Sequence, residues 1–447
     1  MKRREFGTLA AALGLAAAPF GRAFASVADL EAASGKPVYF RGWQFAPEVV
    51  QSNVKRYNDL EHGKIDYATV TGDYPAIMEQ SLIAKADLDV LYANPSTAVR
   101  YYEGGWVLPA ETLPAAAEIK ADMLPQFLDA WSYDGKLLGL SYFASTRGCV
   151  HTNLLAYNKA GMTDKDFPAD WDALYDQIYA LHDKGVATPI LPHWFGDWYG
   201  ISWGFVMEVL NRGNPVADPT THKPTMTVDP NGPAYKTLAQ WKKLWKSKLV
   251  PQEVLTYNES AYIDAFASGR YVFSPQQIYD VQTMNTPGRS QIAGHVTILP
   301  IVKQTWGLID SALYLMTNRK RPEAQTDDVK KFASWYGFKD GDGKTFVADR
   351  WMDTHMLFSA YKSVMNSPAT EARIKKAVAR PGDYEVLLDV YKQTPFPVGI
   401  WRVVWSEEFN SFLKDTLSKF LLNDGDIADT IKSMNDQIDS LNDKYGI

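Results

Sequence analysis

From Pro37 onward, short apolar runs alternate with stretches in which apolar residues recur at helical spacing. Pro37 to Phe40 predicts a buried strand and Glu48 to Glu61 the helix after it; Ile65 to Val70 predicts a second strand, Tyr74 to Lys85 a second helix, and Leu88 to Tyr92 a third strand. Such alternation implies an α/β fold with a mainly parallel sheet covered on both faces. In sheets of this kind ligands collect beyond the carboxyl ends of the strands, which points to Trp43-Gln44-Phe45, to Thr71 through Tyr74 and to Asn94-Pro95-Ser96. Further helices are predicted at Trp171–Lys184, Trp203–Arg212, Ala234–Lys248, Ala261–Ser268, Asp327–Tyr336 and Glu408–Leu421, with a final one after Asn423. Val296 to Pro300 and Ser311 to Met316 read as strands, and the turn-rich stretches Asn214–Gly232 and Phe338–Gly343 as surface loops.

The beginning of the chain departs from this pattern. Lys2, Arg3 and Arg4 precede an alanine- and leucine-rich run that ends in Ala23-Phe24-Ala25, an A-x-A type cleavage site. Residues 1–25 are therefore expected to be a signal peptide. The pair Arg3-Arg4 with Phe6 resembles a twin-arginine signal, with the general secretory route as the alternative. An uncleaved anchor is disfavoured because the run is short and is interrupted by Pro19 and Arg22. Removing the segment deletes Lys2, Arg3, Arg4 and Arg22 together with Glu5, so the formal net charge of −6 becomes three units more negative. An acidic chain without a concentrated basic surface is a poor match for nucleic acid. The single cysteine, Cys149, cannot close an internal disulfide, and its apolar neighbours predict a buried, inert thiol. At 447 residues, 46% of them hydrophobic, the chain is long enough for two lobes with separate cores.

Several segments, in order, resemble the periplasmic sugar-binding family of ABC importers that contains the maltodextrin-binding proteins, within extracellular solute-binding protein family 1. They are Tyr133 to Ser141; Thr152-Asn153 with Asn158 to Met162; Phe167 to Leu174; Asp229 to Gly232 with Trp241 to Pro251; Ala265 to Ser274; and Phe396-Pro397 with Trp401, Trp405 and Leu421 to Ile431. The resemblance implies a two-lobed periplasmic-binding-protein fold joined by three hinge crossings, near Phe143–Gly148, Gly269–Phe273 and Met316–Arg319. Residues 26–145 and 271–317 would then form lobe I. Residues 146–270 and 318–447, the latter with the closing helices, would form lobe II. It implies no cofactor, a small-molecule ligand, the permease subunits of an ABC transporter as partners, a periplasmic location and a monomer.

The 14 tryptophans change the picture because several fall where this fold has its cleft. A sugar offers an apolar C–H face rimmed by hydroxyls, so its site needs flat aromatic rings beside planar polar groups. The densest mixture is Pro192-His193-Trp194-Phe195-Gly196-Asp197-Trp198-Tyr199, from which His193 and Trp194 are the candidates; Trp203 reads as core. Trp43, Gln44, Tyr74 and Asn94 are candidates from the first lobe. Arg147 lies in the first hinge, and Gln276, Gln277 and Tyr279 follow the second. Trp306 and Asp310 precede a strand, and Trp401 and Arg402 come from the closing bundle. Were Arg147 or Arg402 to touch ligand, an acidic or sulfonated sugar would fit.

No ordered catalytic or metal constellation is present: H-E-x-x-H, G-x-S-x-G and the phosphate-cradling G-x-x-x-x-G-K-[ST] are missing, and the 7 histidines are scattered. Asp340-Gly-Asp342-Gly resembles the start of a calcium loop, but Trp351 stands where a bidentate glutamate is required, so it reads as a turn. The expectation is a non-enzymatic importer component that captures a carbohydrate by hinge closure. The alternatives are a polyamine or small-anion binder, and a secreted glycoside hydrolase, whose paired carboxylates one sequence does not reveal.

Overall fold

The computed structural model describes residues 34–61, 63–197 and 200–447; the expected signal peptide and the pair Trp198-Tyr199 lie outside them. Ten strands occur in these residues: β1 Val38–Gly42, β2 Ile65–Thr69, β3 Val90–Ala93, β4 Val107–Leu108, β5 Ser132–Tyr133, β6 Lys136–Leu137, β7 Leu140–Asn153, β8 Phe273–Gln277, β9 Val296–Ile298 and β10 Leu308–Thr317. Eight form one sheet in the order β2-β1-β3-β10-β7-β8, with β4 beside β10 and β9 beside β7, while β5 and β6 form a small hairpin. The fold is α/β, with helices on the sheet as the alternation requires.

The mainly parallel expectation holds only for β1, which pairs in parallel with β2 and β3. β10 runs antiparallel to β3 and β7, and β7 antiparallel to β8. These longer strands lie where the chain passes from one hydrophobic core to the other, and successive passages run in opposite directions. β7, buried along its whole length, carries the first passage: Cys149 belongs to the first core and Val150 to the second. The Cys149 thiol is fully buried, which pushes its pKa up.

The first core holds residues from β1 to β7, most of β10 and then residues 329 to 391; the second holds residues 150 to 273, several between Met284 and Leu308, and residues 400 to 441. The sequence reading moved the chain to the second lobe after Thr317, but the structure keeps it on the first core up to Tyr391. Charge pairing and aromatic packing explain the difference. Arg319 Nη2 and Arg321 Nε both donate to the buried Asp89 carboxylate at 3.0 Å, tying the segment after β10 to the start of β3. The helix Glu323–Gly337 then lays Phe332 and Tyr336 against Phe40 of β1, at ring separations of 5.8 and 5.5 Å. Four short helices between Phe346 and Gln393 extend this packing.

No helix among the described residues is long and apolar enough to cross a membrane. In the Asp340 loop one carboxylate oxygen accepts the backbone N–H groups of Asp342 and Lys344, a turn, as the missing glutamate implied.

Candidate functional site

A cleft of about 280 Å³ opens between the two cores. It is lined by Trp43, Gln44, Phe45, Asn94, Phe143, Arg147, Trp203, Glu259, Gln277, Tyr279 and Asp310. Its volume sits just below the range of roughly 300 to 1,000 Å³ typical of small-ligand sites, which suits a molecule the size of one sugar ring or a short polyol.

The first-core wall follows from strand ends. Trp43, Gln44 and Phe45 emerge where β1 stops, before the helix Pro47–Glu61, and Asn94 emerges where β3 stops, opening the helix Pro95–Glu103. Trp43 rests on Tyr92 and Tyr74, with ring centroids 4.9 and 5.7 Å away, so its plane is set by a bed of buried tyrosines. Phe45, 38% exposed, stacks on Trp351 at 6.0 Å and lies 6.4 Å from Tyr279.

The floor is a polar chain held by strand register. Pairing sets Arg147 of β7 opposite Gln277 of β8, and Ser145 of β7 opposite Asp310 of β10. Ser145 Oγ donates to Gln277 Oε1 at 3.0 Å, Gln277 Nε2 donates to Asp310 Oδ2 at 2.9 Å, and Arg147 Nε donates to the same oxygen at 3.3 Å. Arg147 Nη1 donates to Glu259 Oε1 at 2.9 Å. Burial alone would lower the proton affinity of Arg147, but the charges of Glu259 and Asp310 hold it above the ordinary arginine value.

The second-core wall is made by helices. Glu259 begins the helix Glu259–Ala267, and Trp203 lies in the helix Gly200–Asn211 with the Arg147 guanidinium 4.7 Å from its ring centroid. Gly148 permits this approach. Its φ is +85°, where L side chains are strained, and a Cβ built on it would lie 1.7 Å from Met207 Sδ of the same helix.

Seven of the sequence candidates thus come together: Trp43, Gln44, Asn94, Arg147, Gln277, Tyr279 and Asp310. The other seven do not line the cleft. Tyr74 is buried under Trp43, donating its hydroxyl to the Arg41 carbonyl at 2.8 Å. His193 sits behind Arg147: its Nδ1 pairs with the Gly200 carbonyl at 2.8 Å and its Nε2 lies 3.4 Å from Arg147 Nη1. Burial and then the Arg147 charge push its pKa down to about 3, so the neutral ring accepts from the guanidinium and positions it. Trp194, 1% exposed, packs on Trp241 at 4.9 Å within the second core. Gln276 is buried and donates to Ser274 Oγ at 2.8 Å, and Trp306 donates its indole N–H to the Pro300 carbonyl at 3.0 Å. Trp401 supports Trp203 from behind, with ring centroids 4.5 Å apart. Arg402 is held by the Ser132 carbonyl at 3.0 Å and Asp129 at 3.3 Å.

Phe143 and Glu259 were missed, Phe45 was noted only as part of a strand end, and Trp203 was read as core. The helix phase of Trp203 marks it as buried, which it is, but it also lines the cleft. Nothing in the sequence separates Glu259 from other acids at helix starts.

The chain matches the model of the bacterial extracellular solute-binding protein family over residues 54–350. It belongs to that family, whose members act outside the cytoplasm. No curated protein sequence matches it. Among solved structures it is similar to maltose-bound MalE3 of T. maritima, with a TM-score of 0.74 and 15% identity over 91% of this chain and 99% of that one. It is also similar to a solute-binding protein of Agrobacterium radiobacter K84 in complex with ribitol, with a TM-score of 0.73 and 15% identity over 92% of this chain and 100% of that one. A third, the GacH receptor of Streptomyces glaucescens, has a TM-score of 0.70 and 16% identity over 90% of this chain and 98% of that one. At these identities the likeness establishes the two-lobed fold.

Proposed function

We propose that the chain is the periplasmic binding component of an ABC importer and captures a small carbohydrate or polyol by closing two lobes around it. The observation that carries this is the composition of the cleft, where five aromatic rings surround a fixed row of planar polar groups. Rings take the C–H face of a polyol, and carboxylates, amides and a guanidinium pair with its hydroxyls. The groups come from both cores: Trp43, Phe143 and Tyr279 pack with the first, Trp203 and the Glu259 helix with the second. A ligand touching both walls binds the closed form more tightly than the open one and so shifts the equilibrium toward closure. The two cores are the two lobes in this reading, with the residues of β7, β8 and β10 flexing between them. Proteins of similar structure are bound to maltose, ribitol and D-mannitol, which fits the ligand class proposed for this one. Export through the amino-terminal signal and action as a monomer complete the proposal.

The test is a thermal-shift screen of residues 26–447 against monosaccharides, polyols, polyamines, amino acids and small anions. A ligand at 100 times its dissociation constant adds about 2.7 kcal/mol of stability, a readable rise in Tm. The expected hit is a monosaccharide or polyol whose effect disappears in Trp43→Ala. A response confined to amino acids or inorganic anions overturns the carbohydrate reading, and steady turnover of the hit overturns the capture reading.

A further inference from the structure

The charges in the cleft do not balance. Among the described residues Arg147 is the only basic one lining it, and it faces two carboxylates, Glu259 and Asp310. Its Nε and Nη1 are committed to them, and Trp203 covers one face of the guanidinium. His193 behind it is neutral, and Arg402 is engaged at Asp129 and Ser132 instead of reaching the cleft. Asp310 uses Oδ2 and Glu259 uses Oε1 in the polar chain; the second oxygen of each takes no hydrogen bond among the described residues. The Glu259 side chain is 32% exposed at the cleft, compared with 11% for Arg147. A site with one cation against two anions, its free acceptors on the anions, repels an anionic sugar and attracts a positive charge. The aromatic rings around it add to that attraction, because ring faces hold ammonium groups.

We propose that Glu259 and Asp310 make this cleft selective for a polyhydroxyl ligand carrying a protonated amine, such as an amino sugar, over its neutral and acidic counterparts. The inference rests on the carbohydrate reading above and sharpens it. The amine contacts the open oxygens of Glu259 and Asp310, while Arg147 stays in its ion cluster as the fixed base of the site. Acidic and sulfonated sugars, which a free arginine would suit, are rejected because this arginine is already neutralised.

The test is titration calorimetry at neutral pH with three matched sets: glucose, galactose and mannose; their 2-amino-2-deoxy forms; and their uronic acids. The expected result is an amino sugar as the tightest member, about tenfold or more below its parent hexose in Kd, with no uptake of the uronate. In Glu259→Gln, at the partly exposed start of a helix, the ratio of the parent hexose Kd to the amine Kd falls toward one, whatever the change in the parent's own affinity. A hexose or uronate that binds as tightly as its amine overturns the charge assignment and leaves the carbohydrate reading standing. Silence across the whole panel overturns the amine proposal, while the carbohydrate reading falls only if the polyols of the thermal-shift screen are silent as well.

Discussion

On the first core's side of the cleft, Trp43, Gln44 and Asn94 stand at the ends of strands in a rigid sheet; on the second core's side, Trp203 and Glu259 stand on helices brought close by one glycine. The first wall is positioned by main-chain hydrogen bonding and by a tyrosine bed under Trp43. The second depends on side-chain packing, on Trp401 behind Trp203 and on the Arg147 ion cluster. One wall is therefore robust to loss of a ligand-facing side chain, whereas the other couples binding to stability. In the clamp proposed here, that asymmetry would leave one face as a platform and make the other the adjustable jaw.

The strongest way to break the comparison is Arg147→Ala. It leaves the Glu259 and Asp310 carboxylates without their shared cation, and removing one partner of a buried pair costs about 3–5 kcal/mol. Urea denaturation is expected to show a loss of that size together with loss of ligand binding. Next comes the pair Trp203→Ala and Trp43→Ala. The buried Trp203 should cost about 3 kcal/mol of stability as well as affinity. The half-buried Trp43 should cost affinity with a clearly smaller change in Tm, and equal stability losses would contradict the platform-and-jaw account.

The next effect is read as a pH slope and concerns Asp280, whose carboxyl is pushed up to about 8 by burial and then by the Glu259 charge. Between about pH 4, the ordinary aspartate value, and pH 8, the native state keeps a proton that the unfolded chain loses. Its contribution therefore falls as pH rises through that window, by at most about 1.4 kcal/mol per unit. His193 works in the opposite direction: its pKa of about 3 means that stability is lost as pH falls below about 6.5, where the unfolded histidine takes up a proton. Asp280→Asn is expected to gain Tm on the wild type from pH 5 to pH 8 and to keep the acid-side loss. Thermal melts across that range check it, and a constant difference contradicts it. The smallest effect is Arg402→Ala: its Asp129 partner is largely exposed, so stability should change by less than about 1 kcal/mol and affinity not at all.

Much of the first wall was legible because the position of a residue after a strand is a property of the local pattern. Trp43, Gln44 and Asn94 were found from the β-then-α alternation alone. The second wall was not legible for the same physical reason that makes it different. Its residues are helical, and helical phase marks Trp203 as buried without telling that it also meets the cleft. The aromatic cluster around His193 and Trp194 drew attention by its density, yet Trp194 serves the core by packing on Trp241. The segment after Thr317 was misplaced because salt bridges to Asp89 and contacts with Phe40 decide where it packs, and both partners are far away in sequence.

The most direct test of the central claim is titration calorimetry of the wild type, Trp43→Ala and Trp194→Ala with the monosaccharide or polyol that raises Tm most. The account predicts one-to-one binding to the wild type, its loss in Trp43→Ala, and its retention in Trp194→Ala wherever that variant remains folded. Full affinity in Trp43→Ala would place the ligand elsewhere and contradict the account.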